Sequence, residues 1–225
     1  MKTKFNAVIF DMDGLIVDTE ELYYRTYNQN LNDHDVNIPR EGYTRCVGHP
    51  VEDNSRDAVE MYHLKTSPEA FLTTWMDRFE QAISDPDQIA LMPGFLDFLN
   101  HVRQNSFRLG IASSTQRPRM QKTLQNGLLP RLKGVDSLDE VFGVLLSGSD
   151  VTHTKPDPEI YLLAAKRLNV SPEACCVFED SQAGVQSGKA AGMTVFAVPN
   201  FFTAHQDHTE ADHILGNLTE AIEKV

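Results

Sequence analysis

From Phe95 onward, short runs of apolar, β-prone residues alternate with stretches of helical periodicity, and this alternation narrows the possible folds more than any other feature of the chain. Strands are expected at residues 108–113, 141–146, 174–178, 193–198 and 213–215, and helices at 95–104, 118–124, 158–168, 183–191 and 218–225. Such a series packs helices on a parallel sheet, to which the apolar run Ala7-Val8-Ile9-Phe10 adds a first strand. Residues 130–140 form the one irregular connection of any length.

Between that first strand and Met92-Pro93-Gly94 the pattern is purely helical. Leu22, Tyr23, Tyr27 and Leu31 recur at helical spacing across 20–32, and a second helix is expected at 54–64, beyond turn-rich sequence at Asn37-Ile38-Pro39 and Gly48-His49-Pro50. Ser67-Pro68-Glu69 supplies an N-cap with proline in the first turn. Phe71, Leu72, Trp75, Met76, Phe79 and Ile83 then form one apolar stripe that ends at Asp85-Pro86, a packing surface rather than a cofactor box. The expected division is a core domain of residues 1–19 and 92–225 with a helical cap, 20–91, inserted in it.

The first strand ends abruptly in Asp11-Met12-Asp13-Gly14, two acids one residue apart before a glycine that can bend the chain back. In open parallel sheets ligands bind outside the carboxyl ends of the strands, so Asp11 and Asp13 stand where chemistry is usually done. Taken alone, D-x-D-G reads more readily as a solvated turn. Three more clusters fall at strand ends. Ser113, Ser114 and Thr115 offer hydroxyls and amides suited to phosphate oxygens, or an ordinary helix cap. Lys155, just before Pro156-Asp157-Pro158, is a cation for a phosphate or a surface lysine. Glu179 and Asp180 repeat the release of acids from an apolar strand, with a helix N-cap as the other reading of Asp180. Their occurrence together in this order carries the inference. Acids at two strand edges are hard oxygen ligands suited to Mg²⁺, with Ser113 and Lys155 holding the same phosphate.

Composition sets the boundaries. Against 32 Asp and Glu stand 20 Lys and Arg, a net charge of −12 that repels polyanions and argues against nucleic-acid or anionic-membrane partners. An acidic protein that handles phosphate needs local positive charge, as Lys155 would supply. No stretch reaches transmembrane length, and the N-terminal apolar run is too short for a signal-peptide core. Three cysteines, two of them adjacent in an apolar run, suggest strand packing in a reducing cytoplasm rather than a disulfide framework. His205-Gln206-Asp207-His208 reads as a solvated loop in preference to a metal site.

These motifs resemble those of the haloacid-dehalogenase superfamily of phosphotransferases, in the branch with a small helical cap after the first strand. The resemblance covers essentially the whole chain. It rests on Asp11-Met12-Asp13-Gly14 with Asp18-Thr19, on Ala112-Ser113-Ser114, on Lys155-Pro156-Asp157 with Glu159-Ile160-Tyr161, and on Phe178-Glu179-Asp180-Ser181 with Ala183-Gly184. It implies an α/β fold, a Rossmann-like parallel-sheet core with an inserted small all-helical cap. By the same resemblance Asp11 is the nucleophile that becomes an aspartyl phosphate and Asp13 the general acid and base. Ser113, Ser114 and Lys155 match phosphate-holding positions. Asp11, the backbone carbonyl of Asp13, and Asp180 match the Mg²⁺ ligands, with Glu179 binding directly or through water, and Thr19 lies where the cap hinges.

The chemistry is consistent with those roles. A carboxylate of ordinary pKa, about 3.9, is ionised at neutral pH and needs no base to attack, but its approach to a phosphate dianion calls for Mg²⁺ and Lys155. The expectation is a cytoplasmic, monomeric, Mg²⁺-dependent phosphatase of a small phosphorylated metabolite, a sugar phosphate or a nucleoside monophosphate. A phosphosugar mutase is the alternative within the branch. Its members place a histidine early in the first cap helix and an arginine shortly after a cap glycine, where this chain has Tyr23 and Val51. His49 is near, but an exposed imidazole carries little charge near neutral pH. A phospho-accepting receiver or a phospholigand-binding module is a further alternative, opposed by the D-x-D-G spacing and a helical insert of about seventy residues, far beyond an ordinary loop.

Overall fold

The computed structural model describes residues 5–225. Six parallel strands form one sheet in the order β3-β2-β1-β4-β5-β6. They are β1 (Ala7–Phe10), β2 (Arg108–Ala112), β3 (Val144–Leu146), β4 (Cys175–Glu179), β5 (Thr194–Ala197) and β6 (His213–Ile214). Helices α1 (Thr19–Asn32), α2 (Arg40–Tyr43), α3 (Val51–Met61), α4 (Pro68–Ala82) and α5 (Phe95–Gln104) lie between β1 and β2. Then α6 (Arg117–Gly127), α7 (Glu159–Leu168) and α8 (Gln182–Ala190) alternate with the remaining strands. This is the Rossmann-like α/β architecture.

The central strands are apolar throughout because both faces of the sheet are covered. Side chains alternate across the pleat: Val8 and Phe10 pack with Phe178, Phe196 and the α5 residues Phe95 and Phe98, while Ala7 and Ile9 pack with Val177, Val195 and the α7 residues Ile160 and Ala164. A third cluster lies in the helical segment, where Tyr27, Tyr43, Phe71 and Trp75 are buried together. Trp75 donates its indole N–H to the Thr26 hydroxyl and the Tyr23 carbonyl, both at 3.2 Å, so its polar atom is satisfied where it is buried. Phe202, from the loop after β5, belongs to the same cluster. The chain leaves and re-enters the sheet side through paired segments: Asp18 N–H donates to the Ala90 carbonyl at 2.9 Å and Met92 N–H to the Ile16 carbonyl at 2.9 Å.

Local chemistry moves some element boundaries from their expected places. The strand expected at 141–146 begins only at Val144, because Ser137 and Glu140 close a capping box around the 3₁₀ turn Leu138–Glu140. The last helix is a 3₁₀ segment, Leu218–Glu223, capped by the Asn217 side chain. The helix expected at 54–64 starts at Val51 and stops at Met61, with His63 at φ 51° beyond it. The turn-rich stretch before it holds α2 and a 3₁₀ turn, which bury Tyr43 and Cys46. Among the described residues no helix is long and apolar enough to cross a membrane.

Candidate active site

Register brings the motif residues to one edge. Phe10 lies level with Ile111 of β2 and Phe178 of β4, so the residues that follow all three leave the sheet at the same height. The backbone continues the alignment: Asp11 N–H donates to the Phe178 carbonyl at 3.0 Å and Ser113 N–H to the Leu146 carbonyl at 3.0 Å. The strand order reverses at β1, which puts Asp11, Glu179 and Asp180 at the switch point between β1 and β4 where open α/β sheets bind ligands.

Asp11 is 7% exposed, which removes the solvated-turn reading of the D-x-D-G motif. Lys155 Nζ donates to Asp11 Oδ1 at 2.5 Å, to Glu179 Oε1 at 2.6 Å and to the Ala112 carbonyl at 2.8 Å. Its side chain is 5% exposed and lies 4.9 Å over the Tyr161 ring, so it is no surface lysine. The loop that presents it is tied back by Glu159, whose carboxylate accepts from the N–H groups of Thr152 and His153. Burial pulls the Lys155 ammonium down, but Asp11, Glu179 and Tyr161 outweigh it and hold the group well above the usual lysine range. Burial raises the Asp11 carboxyl well above the usual range, aided by Glu179 and Asp13, and Lys155 offsets this only in part.

Asp13 is fixed by three hydroxyls. Thr19 donates to Oδ1 at 2.9 Å, and Ser113 and Thr115 donate to Oδ2 at 3.0 and 2.8 Å. Ser113 is fully buried and faces Asp13, while its neighbours Ser114 and Thr115 line the open cavity. Helix α6 does not begin until Arg117, so Ser113 is not its cap. Gly14 adopts φ 75°, and a Cβ there would stand 2.3 Å from Asp180 Oδ2. The turn and the close approach of Asp180 both require glycine.

Glu179 is wholly buried, and its Oε1 also accepts from the Tyr161 hydroxyl at 2.5 Å. Gly184 of α8 makes room for this carboxylate, since a Cβ there would lie 1.9 Å from its carbon. Asp180 does not cap α8; Ser181 does, accepting from Gly184 N–H at 3.1 Å. Asp180 Oδ2 instead accepts from Asn200 Nδ2 at 2.8 Å, and the same amide donates to the Gly14 carbonyl at 3.0 Å. Burial, with Asp11, Glu179 and Glu20 nearby, raises Asp180 well above the usual range.

Carboxylate oxygens of Asp11, Glu179 and Asp180 lie within 4.8 Å of one another, all buried. Three buried carboxylates share one ammonium, so the protein's own cations leave the cluster short of positive charge. An oxygen-rich, acidic donor set of this kind fits Mg²⁺. Among the described residues it is the only such group of possible ligands; the His205 to His208 stretch forms none. His205 and Asp207 are exposed as expected of a loop, but His208 is buried and Gln206 lines the cavity. Cys175 and Cys176 are buried, unpaired thiols of β4.

These groups open onto a cavity of about 430 Å³. It is lined by Asp11, Asp13, Lys155 and Asp180 from the sheet edge and by Glu20, Tyr23 and Val47 to His49 from the helical segment. Sequence reading gave no role to Tyr161, Asn200 and Glu20, and it assigned the Thr115 hydroxyl to phosphate where it donates to Asp13. Asn200 follows β5 as Asp11 and Asp180 follow their strands, so the same strand-end rule applied to β5 points to it. Glu20 carries no comparable signal.

Comparison with known proteins agrees with this arrangement. Residues 8–198 match the family described as haloacid dehalogenase-like hydrolase. The chain is 35% identical to the phosphorylated carbohydrates phosphatase of Thermotoga maritima over 187 residues, 83% of this chain and 82% of that protein. It is 28% identical to the beta-phosphoglucomutase of Bacillus subtilis over 85% of this chain and 81% of that one. A crystal structure of a CbbY variant from Rhodobacter sphaeroides, in complex with xylulose-(1,5)bisphosphate, superposes with a TM-score of 0.72 at 28% identity, covering 96% of each chain. The chain belongs to the haloacid dehalogenase-like hydrolase family.

Proposed function

We propose that this protein is a Mg²⁺-dependent phosphatase that hydrolyses a small phosphorylated metabolite through an acyl phosphate formed on Asp11. The observation that carries the reading is the pairing of a buried Asp11, held at one oxygen by Lys155, with an Asp13 fixed by three hydroxyls on the same cavity. Asp11 Oδ2 accepts no hydrogen bond from any described residue, which leaves one oxygen for bonding to phosphorus. In the first step that oxygen attacks phosphorus, the bond from phosphorus to the leaving oxygen breaks, and Asp13 gives its proton to the departing alkoxide. In the second, water attacks the same phosphorus, Asp13 takes the water's proton, and Asp11 leaves as a carboxylate with release of inorganic phosphate. Lys155, with the hydroxyl and amide of Ser114, holds the phosphoryl oxygens, Ser113 serves instead to fix Asp13, and Thr19 marks the hinge between the core (1–19 and 92–225) and the cap (20–91).

Mg²⁺ would sit on Asp11, the Asp13 carbonyl and Asp180, where it offsets charge on the phosphoryl oxygens. Asp180 Oδ1 accepts no hydrogen bond among the described residues, whereas both Glu179 oxygens do, so Glu179 acts as a support behind the ligands.

Hydrolysis is favoured over mutase chemistry by the charge of the cap wall. Tyr23 and His49 line the cavity and Val51 does not. The guanidinium that approaches Tyr23 is Arg119, already paired with Glu80 at 2.9 Å. A screen of phosphorylated metabolites with and without Mg²⁺, scoring free phosphate and isomerised product, tests the reading. Phosphate release that needs Mg²⁺ is expected. Rapid isomerisation of a hexose 1-phosphate with little free phosphate would replace it with the mutase.

A further inference from the structure

One side chain of the His205 to His208 stretch is held on the cavity with half of its hydrogen-bonding capacity unused. Gln182 N–H, at the start of α8, donates to Gln206 Oε1 at 2.9 Å. A backbone N–H can only donate, so this contact fixes which end of the amide is oxygen and leaves the NH₂ group for another partner. Among the described residues that group has none. Nε2 stands at the seam with the helical segment: a Cβ added to Gly48 would be 3.9 Å from it, and Gly48 and Gln206 both line the cavity. Three contacts hold the loop in place. Gln206 N–H donates to the Thr203 carbonyl at 2.9 Å, the buried His208 ring lies 3.0 Å from the same carbonyl, and Asp207 N–H donates to Gln182 Oε1 at 3.4 Å.

An amide tethered by its oxygen presents donors. Thr203, three residues earlier, also lines the cavity; its hydroxyl accepts from Asn200 N–H at 3.0 Å and gives its own proton to no described residue, so the loop carries a second unused donor. The complement of a donor is an acceptor, and the group that only accepts is a carbonyl oxygen, as in a ketone, an amide or an imide. A hydroxyl accepts as well, but brings a proton that the NH₂ group cannot take. The acceptor is uncharged, because four carboxyl groups, those of Asp11, Asp13, Glu20 and Asp180, line the cavity against Lys155 as its one lysine or arginine, a poor setting for a second anion. A donor fixed in advance costs little to order when the ligand arrives, and a ligand without the acceptor forfeits the bond.

We propose that Gln206 is a specificity-determining residue whose side-chain NH₂ group donates to an uncharged carbonyl oxygen of the leaving group, so that the cavity favours phosphate monoesters carrying such an oxygen. This rests on the phosphatase reading above. Two matched pairs of esters differ in that oxygen: dihydroxyacetone phosphate and glycerol 3-phosphate for a ketone, uridine 5′-monophosphate and ribose 5-phosphate for an imide. The parent protein should favour the carbonyl member of at least one pair in kcat/KM, and the pair in which it does so identifies the source of the oxygen. Gln206→Met keeps the length of the side chain and loses the donor. Gln206→Glu loses it too, but its carboxylate still accepts from Gln182 N–H. One lost hydrogen bond corresponds to about a tenfold loss in kcat/KM. The preference for the carbonyl ester should therefore fall about tenfold in both variants, mainly through KM. No preference in either pair, or a preference that survives both substitutions, would overturn the proposal, the latter leaving Gln206 as a clasp between α8 and its own loop. Thermal melting of both variants separates loss of fold from loss of selectivity. If the parent protein releases phosphate from no ester in the presence of Mg²⁺, the phosphatase reading fails first and this inference with it.

Discussion

The two walls of the cavity are built by different rules. On the sheet side every charged group has fixed partners: Lys155 touches three acceptors, Asp13 accepts from three hydroxyls, and Glu179 is held by Lys155, Tyr161 and Ser181. These residues hang from strand ends whose register is set by a buried sheet. On the helical side Glu20 has no hydrogen-bond or ion-pair partner among the described residues, and Val47, Gly48 and His49 come from a short connection between helices, with Gly48 at φ 84°. A reaction that must be the same for every substrate belongs on the first wall, where geometry is over-determined. Discrimination among substrates belongs on the second, which can change without moving the reacting groups.

Substitutions on the two walls should therefore differ in kind. The largest effect is expected at Asp11. Asp11→Asn keeps the shape and loses the nucleophile, so phosphate release should drop to background while circular dichroism reports an intact fold; near-normal turnover would remove Asp11 from its role. Next comes Asp13→Asn, expected to cost on the order of 10²-fold to 10⁴-fold in turnover, the usual worth of a general acid and base. Poor leaving groups should suffer most, and equal losses for aryl and sugar esters would show that Asp13 does not donate the proton.

The metal side can be probed without turnover. Asp180→Ala removes a ligand, and Asn200→Ala removes the amide that orients it, a kind of supporting contact typically worth about 10-fold to 100-fold in affinity. Calorimetric titration with Mg²⁺ alone should show weaker binding in both, more so in Asp180→Ala. An unaltered isotherm in Asp180→Ala would exclude it as a ligand.

On the helical side, Phe202→Ala should affect stability more than chemistry. Phe202 is buried among aromatic residues of the helical segment, with ring centroids 6.0 Å from Tyr43 and 6.3 Å from Tyr24, and truncating such a ring costs about 3–5 kcal/mol. Denaturant unfolding measures it, and a loss below about 1 kcal/mol would mean that the ring carries little of the contact. The last effect concerns Glu20 and pH. Its folded-state pKa, about 8, lies above the ordinary 4.5, so the folded protein keeps a proton that the unfolded chain loses. Stability contributed by this group thus falls as pH rises between those values, by at most about 1.4 kcal/mol per unit. In metal-free buffer, Glu20→Gln should melt increasingly above the parent as pH climbs through that window; a constant gap would contradict the shift.

What the sequence made legible follows the same division. Asp11, Glu179 and Asp180 could be found because an apolar strand that ends in a charged residue is a local pattern, and a parallel sheet brings such ends together, whereas Lys155 stands in the loop beyond β3 and was read from its place before Pro156. Helix α4 was equally readable from Ser67, Pro68 and its aromatic stripe. What could not be read are pairings between distant segments. Asn200 meets Gly14 across 186 positions and Trp75 meets Thr26 across 49, contacts that exist only once the chain is folded. Ser113 shows the limit within a correctly located motif. Its type and place suggested phosphate, yet its hydroxyl donates to Asp13, a choice made by the side-chain geometry of two strand ends. Val141 and Phe142 read as strand from composition, but the Ser137 and Glu140 capping box holds the chain in a turn just before them.

The central claim, that phosphate passes through a covalent bond to Asp11, is tested most directly by trapping that bond. Asp13→Asn is the suitable background, because an aryl ester leaves without a proton donor while hydrolysis of the intermediate lacks its base. Mixing this variant with Mg²⁺ and aryl phosphate carrying radiolabelled phosphorus, quenching in acid and mapping peptides should locate the label on the peptide containing Asp11, released by hydroxylamine as expected of an acyl phosphate. A label on another residue, or steady phosphate release with no label on the protein at any time, would contradict the account.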